Sequence, residues 1–440
     1  MRDVRRVQSW LNSVLKQIDP PASQFLRVAL YSRPPYPTDP RVPQRIPSLA
    51  VSAYTATCAA GRGVDALTAA LVERRSGLVP NDFSSVPLAC WIGRVAGVET
   101  TTVPAAQAGW DCRNNRLAWL GLAQDGFLDA ARALVDRYGA ARVAVVLGTS
   151  TASIGATEEA YRTLESGRFT ARFRDPMLHT PHSLAAFVQA VLGTTGPVAT
   201  VATACSSSAK VFAQAERLIR LGWADAAVVG GVDTLCDSVL FGFNALQLVA
   251  PEPCRPFDAA RRGISIGEAA GFALLERADA APHAPRLVGW GESSDAHHMS
   301  SPHPEGLGAR LAIADALARA GLGVDAVDYI NLHGTATPAN DAVEAAAIAA
   351  LFPPTARASS TKGWTGHTLG AAGIVEAVIA LIALTRGFVP GTLNCTDPDP
   401  VCGPQLATAN ESRAPAVALS NSFGFGGSNA ALLFAHGVPA

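Results

Sequence analysis

The sequence predicts an α/β fold with a mixed or parallel central sheet. Short apolar runs typical of buried strands alternate with stretches of helical periodicity. These runs lie at residues 143–147, 198–202, 226–229, 329–332 and 416–419. Hydrophobic residues make up 49% of the 440 residues and charged residues 16%, so the chain can bury a large core. The strand–turn–helix pattern around Cys205 recurs around His367, which predicts two similar halves with a site between them.

The first 47 residues differ from the rest of the chain. They hold eight Lys/Arg against three Asp, and a Pro-rich stretch runs from residue 34 to residue 47. Apolar residues at helical spacing between Val4 and Ile18 predict one short amphipathic helix that Pro20 and Pro21 would end. We interpret the segment as a basic appendage. A docking or membrane-surface helix, an organellar transit peptide and a start codon assigned too early are the alternatives.

Composition excludes several classes of function. Lys+Arg 35 against Asp+Glu 36 gives a net charge of −1, which offers no electrostatic case for a nucleic-acid partner or an acidic membrane. The eight cysteines include no CxxC pair, which favours free thiols in a reducing, cytoplasmic compartment. The longest apolar run, residues 371–384, contains Glu376 and is too short to cross a bilayer. No apolar segment near the N-terminus resembles a secretory signal.

Cys205 is the candidate nucleophile. In the segment 202–209, Ala-Thr-Ala-Cys-Ser-Ser-Ser-Ala, it lies between an apolar strand and the start of a helical pattern. The free N–H groups of a helix N-terminus favour an anion, so they would lower the thiol pKa and offer a donor to an oxyanion. The alternative is a buried structural cysteine, and we interpret the other seven cysteines in that way.

A thiol nucleophile needs a base or hydrogen-bond donor, and two histidines are candidates. His333 follows a predicted strand and His367 lies among small residues, as expected of the strand ends where open α/β sheets place their sites. Each alone could equally be a structural histidine. His297, His298 and His303 cluster in the sequence, but no Cys, Asp or Glu completes a standard ligand spacing. We therefore interpret these three as loop residues and predict no metal site.

Three further features accompany the histidines. Lys362 lies five residues before His367 in a weakly charged stretch, where a lysine must be solvated, paired or shifted in pKa. Glu344, eleven residues after His333, is its candidate partner. The segment 421–429, Asn-Ser-Phe-Gly-Phe-Gly-Gly-Ser-Asn, suits a flexible loop that brings backbone close to a ligand. It lacks the Gly-Lys-Ser/Thr of a phosphate-binding loop.

These segments, taken together and in this order, resemble the β-ketoacyl-acyl carrier protein synthases, the condensing enzymes of the thiolase superfamily. The matching segments are 203–208, 333–338, Lys362 with 366–367, and 421–427, with 254–258 and 293–299 in addition. Cys205, His333 and His367 match the Cys-His-His elongating type. The resemblance implies a thiolase-like fold, in which two similar βαβ-type halves, residues 48–283 and 284–440, form a layered α-β-α-β-α core.

The resemblance also implies a mechanism. Cys205 would take an acyl group from a thioester on an acyl carrier protein, with the backbone N–H groups of Cys205 and Phe425 as the oxyanion hole. His333 and His367 would donate hydrogen bonds to a malonyl thioester, which loses CO₂ to give the enolate that attacks the acyl group. Lys362 and Glu344 would pair and orient the histidines.

Further family positions concern the substrate arm. Thr335 and Thr337 match residues that hold the pantetheine arm. The family's gate loop corresponds to Phe423, Phe425, Gly426 and Gly427. The resemblance requires no metal or other cofactor, and it implies a homodimer or a heterodimer with a related chain.

The sequence departs from housekeeping members of the family at a few places. Gly363-Trp364 replaces a small residue and Met, and residues 263–268 differ from the usual Gly-Phe-Val run. These departures, with residues 114–119, look more like the ketosynthases of aryl polyene pigment pathways than like primary fatty acid synthesis. A catalytically silent chain-length partner of a ketosynthase heterodimer is the alternative function. Such chains lack the nucleophile, whereas Cys205 is present.

Overall fold

The structure, a computed structural model, describes residues 45–437. Its strands are Leu49–Cys58 (β1), Gly61–Arg62 (β2), Val79–Pro80 (β3), Trp91–Gly93 (β4), Val143–Gly148 (β5), Val198–Val201 (β6), Ala226–Asp233 (β7), Ile266–Gly267 (β8), Ala269–Arg277 (β9), Arg286–Ser294 (β10), Tyr329–Asn331 (β11), Arg357–Ser359 (β12), Val417–Gly424 (β13) and Ser428–Ala435 (β14). The five strands predicted from apolar runs correspond to β5, β6, β7, β11 and β13, which confirms the α/β fold class.

The helices connect these strands in the predicted alternation. The α-helices are Val64–Val72 (α1), Arg113–Leu122 (α2), Phe127–Tyr138 (α3), Ile154–Arg162 (α4), Ser183–Leu192 (α5), Ser207–Arg220 (α6), Asp237–Ala245 (α7), Leu307–Ala320 (α8), Pro338–Leu351 (α9), Lys362–Thr365 (α10) and Ala372–Arg386 (α11). Short 3₁₀ turns are Ala105–Trp110, Ala140–Arg142, Ala171–Phe173, Pro176–His179, Val324–Ala326, Leu369–Ala371 and Phe425–Gly427.

Two halves with the same topology share the main sheet. Its order is β12-β11-β13-β14-β10-β1-β9-β7-β5-β6, with β2 paired to β1. If β2 is set aside and the five main-sheet strands of each half are numbered along the chain, both halves have the order 3-2-4-5-1. The halves meet where β1 pairs antiparallel with β10, at Leu49 opposite Leu287. The strand–turn–helix pattern that recurs in the sequence therefore reflects a repeated fold.

Two helices lie at the centre of the molecule. They are α6, which follows the third strand of the first half, and α11, which comes after the third strand of the second half. Helix α6 contacts β5 and β7 of its own half and also β10 and β14, whereas α11 contacts β11 and β13 and also β1, β7 and β9. They approach closely, since a Cβ at Gly373 would lie 2.5 Å from the backbone nitrogen of Ala209. Helices α2 and α5 cover one half and α8 covers the other, which gives the α-β-α-β-α layering.

Helix α11 is mostly apolar, and it is buried along nearly its whole length. The stretch Leu369–Arg386 is long and apolar enough to cross a membrane by length and composition, so the expectation that this run is too short was wrong. However, 89% of the stretch is buried, because strands of both halves pack around it. Its apolarity is accounted for by its place in the core.

The N-terminal appendage and its predicted helix lie outside the described residues, apart from residues 45–47. The Ile46 N–H donates to the Arg319 carbonyl over 3.1 Å, and the Arg45 guanidinium donates to the Gly321 carbonyl over 3.3 Å. Both contacts are made with the end of α8, so the chain already packs on the second half at these residues.

Candidate active site

Cys205 lies in the turn between β6 and α6, as the sequence predicted. Ala204 before it has a φ of 52°, a left-handed conformation that is strained for a residue with a Cβ. The turn is fixed by the Thr203 N–H, which donates to Ser207 Oγ over 2.9 Å, and by the Ser207 hydroxyl, which donates to the Ala204 carbonyl over 2.6 Å. These bonds hold the strained turn that carries the thiol.

His367 lies beside this turn. Its backbone is held by the second, three-stranded sheet: the His367 N–H donates to the Ser265 carbonyl over 2.7 Å, and the Gly267 N–H donates to the His367 carbonyl over 2.9 Å. The ring Nε2 then lies 3.0 Å from Cys205 Sγ, within hydrogen-bond distance. Residues 162 positions apart in the sequence thus form a thiol–imidazole pair.

His333 follows β11 and completes a three-residue cluster. The ring centroids of His333 and His367 are 5.3 Å apart at 86°. One potential ligand atom each from Cys205, His333 and His367 lies within 4.8 Å of the others, and all three residues are buried. The structure therefore brings together the thiol and the two histidines singled out in the sequence.

Lys362 fixes the tautomer of His333. Its ammonium lies 3.4 Å from His333 Nδ1 and also donates to the His333 carbonyl. An ammonium has no acceptor, so Nδ1 accepts and the ring proton is on Nε2. His333 is therefore a neutral imidazole with an Nε2–H donor.

The predicted ion pair between Lys362 and Glu344 was wrong. The Lys362 ammonium pairs with Glu376 of α11, and the two side chains are 2% and 3% exposed. Glu344 instead accepts the backbone N–H groups of His333 and Gly334, each over 2.8 Å. The reason is that α11 packs against the site and places the Glu376 carboxylate at the Lys362 ammonium. Glu344 lies on the backbone side of His333, where the N–H groups occupy its two oxygens.

Burial controls the protonation of these groups. It raises the pKa of Glu344 to about 7, against the hydrogen bonds from the Gly334 and His333 N–H groups, and it raises the pKa of Glu376 against the opposing charge of Lys362. Burial and the Lys362 charge lower the pKa of His333 and His367 well below its usual value. Both imidazoles are therefore neutral at pH 7.

The pKa of Cys205 is shifted in the direction opposite to the one predicted. Burial raises it to about 11, while the Lys362 charge and a backbone hydrogen bond from Phe425 lower it. The free N–H groups of a helix N-terminus were expected to stabilise the thiolate. Desolvation outweighs them because only 6% of Cys205 is exposed. The resting thiol is therefore protonated.

The Gly-rich loop closes over the cluster. Phe423 lies 5.8 Å from the His333 ring, and Phe425 stacks on Phe243 with centroids 5.6 Å apart. The Gly426 N–H donates to the Met299 carbonyl over 2.7 Å, and Gly426 has a φ of 79° that favours glycine. The Phe425 backbone thus reaches the Cys205 thiol, and the expectation that this loop brings backbone close to a ligand stays a prediction.

A cavity of about 440 Å³ leads from Cys205 to the surface. Thr335 and Thr337 line its wall, and their hydroxyls are hydrogen-bonded over 2.9 Å. Its mouth carries Leu246 and Met299, which are 55% and 77% exposed. The cavity therefore gives a slender molecule a path from the surface to the thiol.

Comparisons with known proteins assign this chain to a family. The β-ketoacyl synthase N-terminal and C-terminal domain families match residues 116–281 and 285–396. A mitochondrial 3-oxoacyl-[acyl-carrier-protein] synthase of Arabidopsis thaliana is 42% identical over 266 residues, which are 55% of this chain but only 57% of that protein. Nodulation protein E of Rhizobium meliloti (strain 1021) is 39% identical over 307 residues, 67% of this chain and 76% of that protein. The chain belongs to the β-ketoacyl synthase family.

The fold of this β-ketoacyl synthase agrees with a solved relative. A ketosynthase in complex with its chain length factor from Xenorhabdus doucetiae has a TM-score of 0.79 and 35% identity, over 89% of this chain and 98% of that one. The predicted thiolase-like ketosynthase fold is confirmed.

Sequence reasoning missed two carboxylates of the synthase. Glu376 was noted only as an interruption of an apolar run. That interruption was itself a usable signal, because a lone carboxylate in a buried helix needs a partner. Asp233 ends β7, is fully buried and accepts a hydrogen bond from the Gly370 N–H over 2.6 Å. Nothing in its local sequence marks it.

Among residues 45–437 of the synthase, the one group of three or more potential metal ligands is the cluster of Cys205, His333 and His367. The histidines of residues 297–303 lie near the cavity mouth instead. The rings of His297 and His303 are 5.2 Å apart, and His298 lines the cavity.

Proposed function

We propose that this β-ketoacyl synthase catalyses a decarboxylative Claisen condensation between an acyl group on Cys205 and a malonyl thioester, both delivered by acyl carrier protein. The observation that carries the proposal is the 3.0 Å contact between His367 Nε2 and Cys205 Sγ, beside a second neutral imidazole whose Nε2 bears a proton. The product is a β-ketoacyl thioester two carbons longer, together with CO₂.

In the first half-reaction, Cys205 Sγ attacks the carbonyl carbon of the acyl thioester. The thiol is protonated at rest, so its proton passes to His367 Nε2, the nearest acceptor, and from there to the departing carrier thiolate. The carbonyl oxygen takes up negative charge in the tetrahedral intermediate. The backbone N–H groups of Cys205 and Phe425 are our candidates for the donors that stabilise it.

In the second half-reaction, the malonyl carboxylate leaves as CO₂ and its electron pair becomes an enolate. His333 Nε2–H donates to the thioester carbonyl, and His367 does so once exchange with water has moved its proton to Nε2. The enolate carbon attacks the acyl carbon and Cys205 leaves as the thiolate, which regains a proton from solvent. Neutral donors suit this step because the negative charge develops during the reaction.

The site also supports proposals on substrate and partners. Thr335 and Thr337 on the cavity wall would hold the pantetheine arm, and the loop of Phe423, Phe425, Gly426 and Gly427 would open to admit it. The synthase would act in the cytoplasm as a dimer. The similarity to a ketosynthase in complex with its chain length factor favours a heterodimer with a related chain. We infer fatty acid or polyketide synthesis, and the sequence departures favour an aryl polyene substrate.

The experiment is to incubate the purified chain with acyl carrier thioesters of different acyl groups and to measure its intact mass. An acyl adduct on the wild type that is absent from Cys205→Ala would support the proposal. A wild-type chain that takes up no acyl group, alone or with a related partner chain, would support the silent chain-length subunit instead. Conjugated aryl thioesters in the same panel test the aryl polyene assignment.

A further inference from the structure

Asp233 is a buried carboxylate next to the site, yet the proposed mechanism does not use it. It is 0% exposed at the end of β7. Its oxygens accept from the hydroxyls of Thr149 and Ser150, each over 2.6 Å, and from the Thr151 N–H over 2.8 Å. All three donors follow β5 in the same half of the molecule. The carboxylate is therefore held rigidly on the half that carries Cys205.

One further donor to Asp233 comes from the other half. The Gly370 N–H lies 2.6 Å from Asp233 Oδ2, and Gly370 follows His367 by three residues. Between them Leu369 has a φ of 55°, a left-handed conformation that a residue with a Cβ keeps only where its surroundings enforce it. The bond to Asp233 thus anchors a strained turn directly after His367.

We infer that Asp233 is a positioning residue that holds His367 against Cys205 across the two halves. The inference rests on the proposed condensation. The His367 backbone is fixed on one side by Ser265 and Gly267, and the bond from Gly370 to Asp233 fixes it on the other. With the backbone held on both sides, His367 Nε2 stays 3.0 Å from Cys205 Sγ. Displacing a catalytic group by about 1 Å can cost about 10²-fold in rate.

The contact between Gly370 and Asp233 can also be disrupted by a substitution at Gly370. A Cβ at position 370 would lie 2.7 Å from Asp233 Oδ2 and 2.7 Å from the Ser150 nitrogen, closer than real contacts allow. Gly370→Ala would push the His367 turn away and leave the carboxylate intact. Asp233→Asn keeps the shape but sets an amide NH₂ among N–H and O–H donors.

The test compares these two variants in the full chain with two controls. Thr149→Val removes one donor to the same carboxylate but leaves the Gly370 N–H bond to Asp233 in place, and Gly323→Ala adds a methyl group where no atom lies within 4 Å. We measure kcat and KM for acyl and malonyl carrier thioesters, with circular dichroism and thermal unfolding on each variant. We expect kcat to fall by about 10- to 100-fold in Asp233→Asn and Gly370→Ala. KM should stay within about twofold, and the controls should keep kcat.

Several results would overturn the inference. They are a folded Asp233→Asn or Gly370→Ala with wild-type kcat, a loss confined to KM, or an equal loss of kcat in Thr149→Val. If Asp233→Asn does not fold, the kcat of Gly370→Ala is the deciding measurement. If Gly370→Ala also fails to fold, the contact between Gly370 and Asp233 has a purely structural role and the inference is overturned. A wild-type chain without condensation would count against the proposed function instead, so the two failures are distinguishable.

Discussion

The buried ammonium of Lys362 is paired with Glu376, and that carboxylate belongs to the apolar helix α11 at the centre of the molecule. The pair joins the short helix α10 to the core helix directly beneath His333. In this position the Lys362 ammonium also donates to His333 Nδ1 over 3.4 Å. The core of the fold and the protonation of the site are therefore linked through one ion pair.

Removing one partner of this pair should destabilise the protein. Glu376→Gln leaves a buried ammonium without a counter-charge, and breaking a buried pair in this way costs about 3–5 kcal/mol. We expect a loss of that size in the free energy of unfolding, measured with denaturant. Asp65→Asn, which breaks the exposed pair with Arg386, is the control and should cause no measurable change. Equal stability of the two variants would contradict the buried pair.

The protonated thiol predicts how alkylation depends on pH. The pKa of Cys205 is raised to about 11, so the thiolate fraction, and with it the iodoacetamide rate, should rise about tenfold per pH unit from pH 7 to pH 10. Mass spectrometry with Cys205→Ala as the control assigns the label to this residue. An alkylation rate that levels off below pH 8 would mean that the helix N-terminus lowers the pKa of Cys205 by more than burial raises it.

The two histidines should differ in acylation. His367→Ala removes the proton acceptor on Sγ and should slow both acyl transfer and malonyl decarboxylation. His333→Ala should leave acylation nearly intact and slow decarboxylation by about 10²–10³-fold, since it removes one oxyanion donor. Single-turnover acylation and CO₂ release measure the two steps separately. Full decarboxylation by either variant would refute the donor role.

Strand β6 is one of the two edge strands of the main sheet, and its composition points to a dimer. Its residues Val198–Val201 are only partly buried in the single chain. An apolar edge strand favours pairing with another chain. Light scattering should give twice the mass of 45.5 kDa, or the mass of a heterodimer with a related chain. Thr200→Pro, on the edge strand, should weaken the assembly. An active wild-type monomer at micromolar concentration would contradict this prediction.

The basic N-terminal segment should affect carrier binding rather than turnover. It carries no nucleophile, base or oxyanion donor of the proposed site, and carrier proteins are acidic as a class. A chain beginning at Arg45 should keep its kcat and show a higher KM for acyl carrier protein. That difference should fade at high salt, which screens charges beyond about 8–10 Å. Loss of turnover with saturating carrier would place the segment within the folded enzyme.

The sequence alone predicted what depends on local pattern. Apolar runs located β5, β6 and β7, and the strand–turn–helix context singled out Cys205. It did not predict contacts that depend on how distant elements stack. Glu376 faces Lys362 only because α11 passes beneath α10, and Asp233 reaches Gly370 only across the two halves. The direction of the Cys205 pKa shift failed for the same reason, since burial depth is a property of the assembled core.

The most direct test of the account is a single-turnover reaction of acylated enzyme with malonyl carrier protein, followed by intact-mass measurement of enzyme and carrier. We predict that the acyl adduct on Cys205 disappears as CO₂ is released in equal amount, and that the carrier gains a β-ketoacyl chain two carbons longer. Release of CO₂ while the adduct on Cys205 persists and no extended chain appears would contradict the condensation.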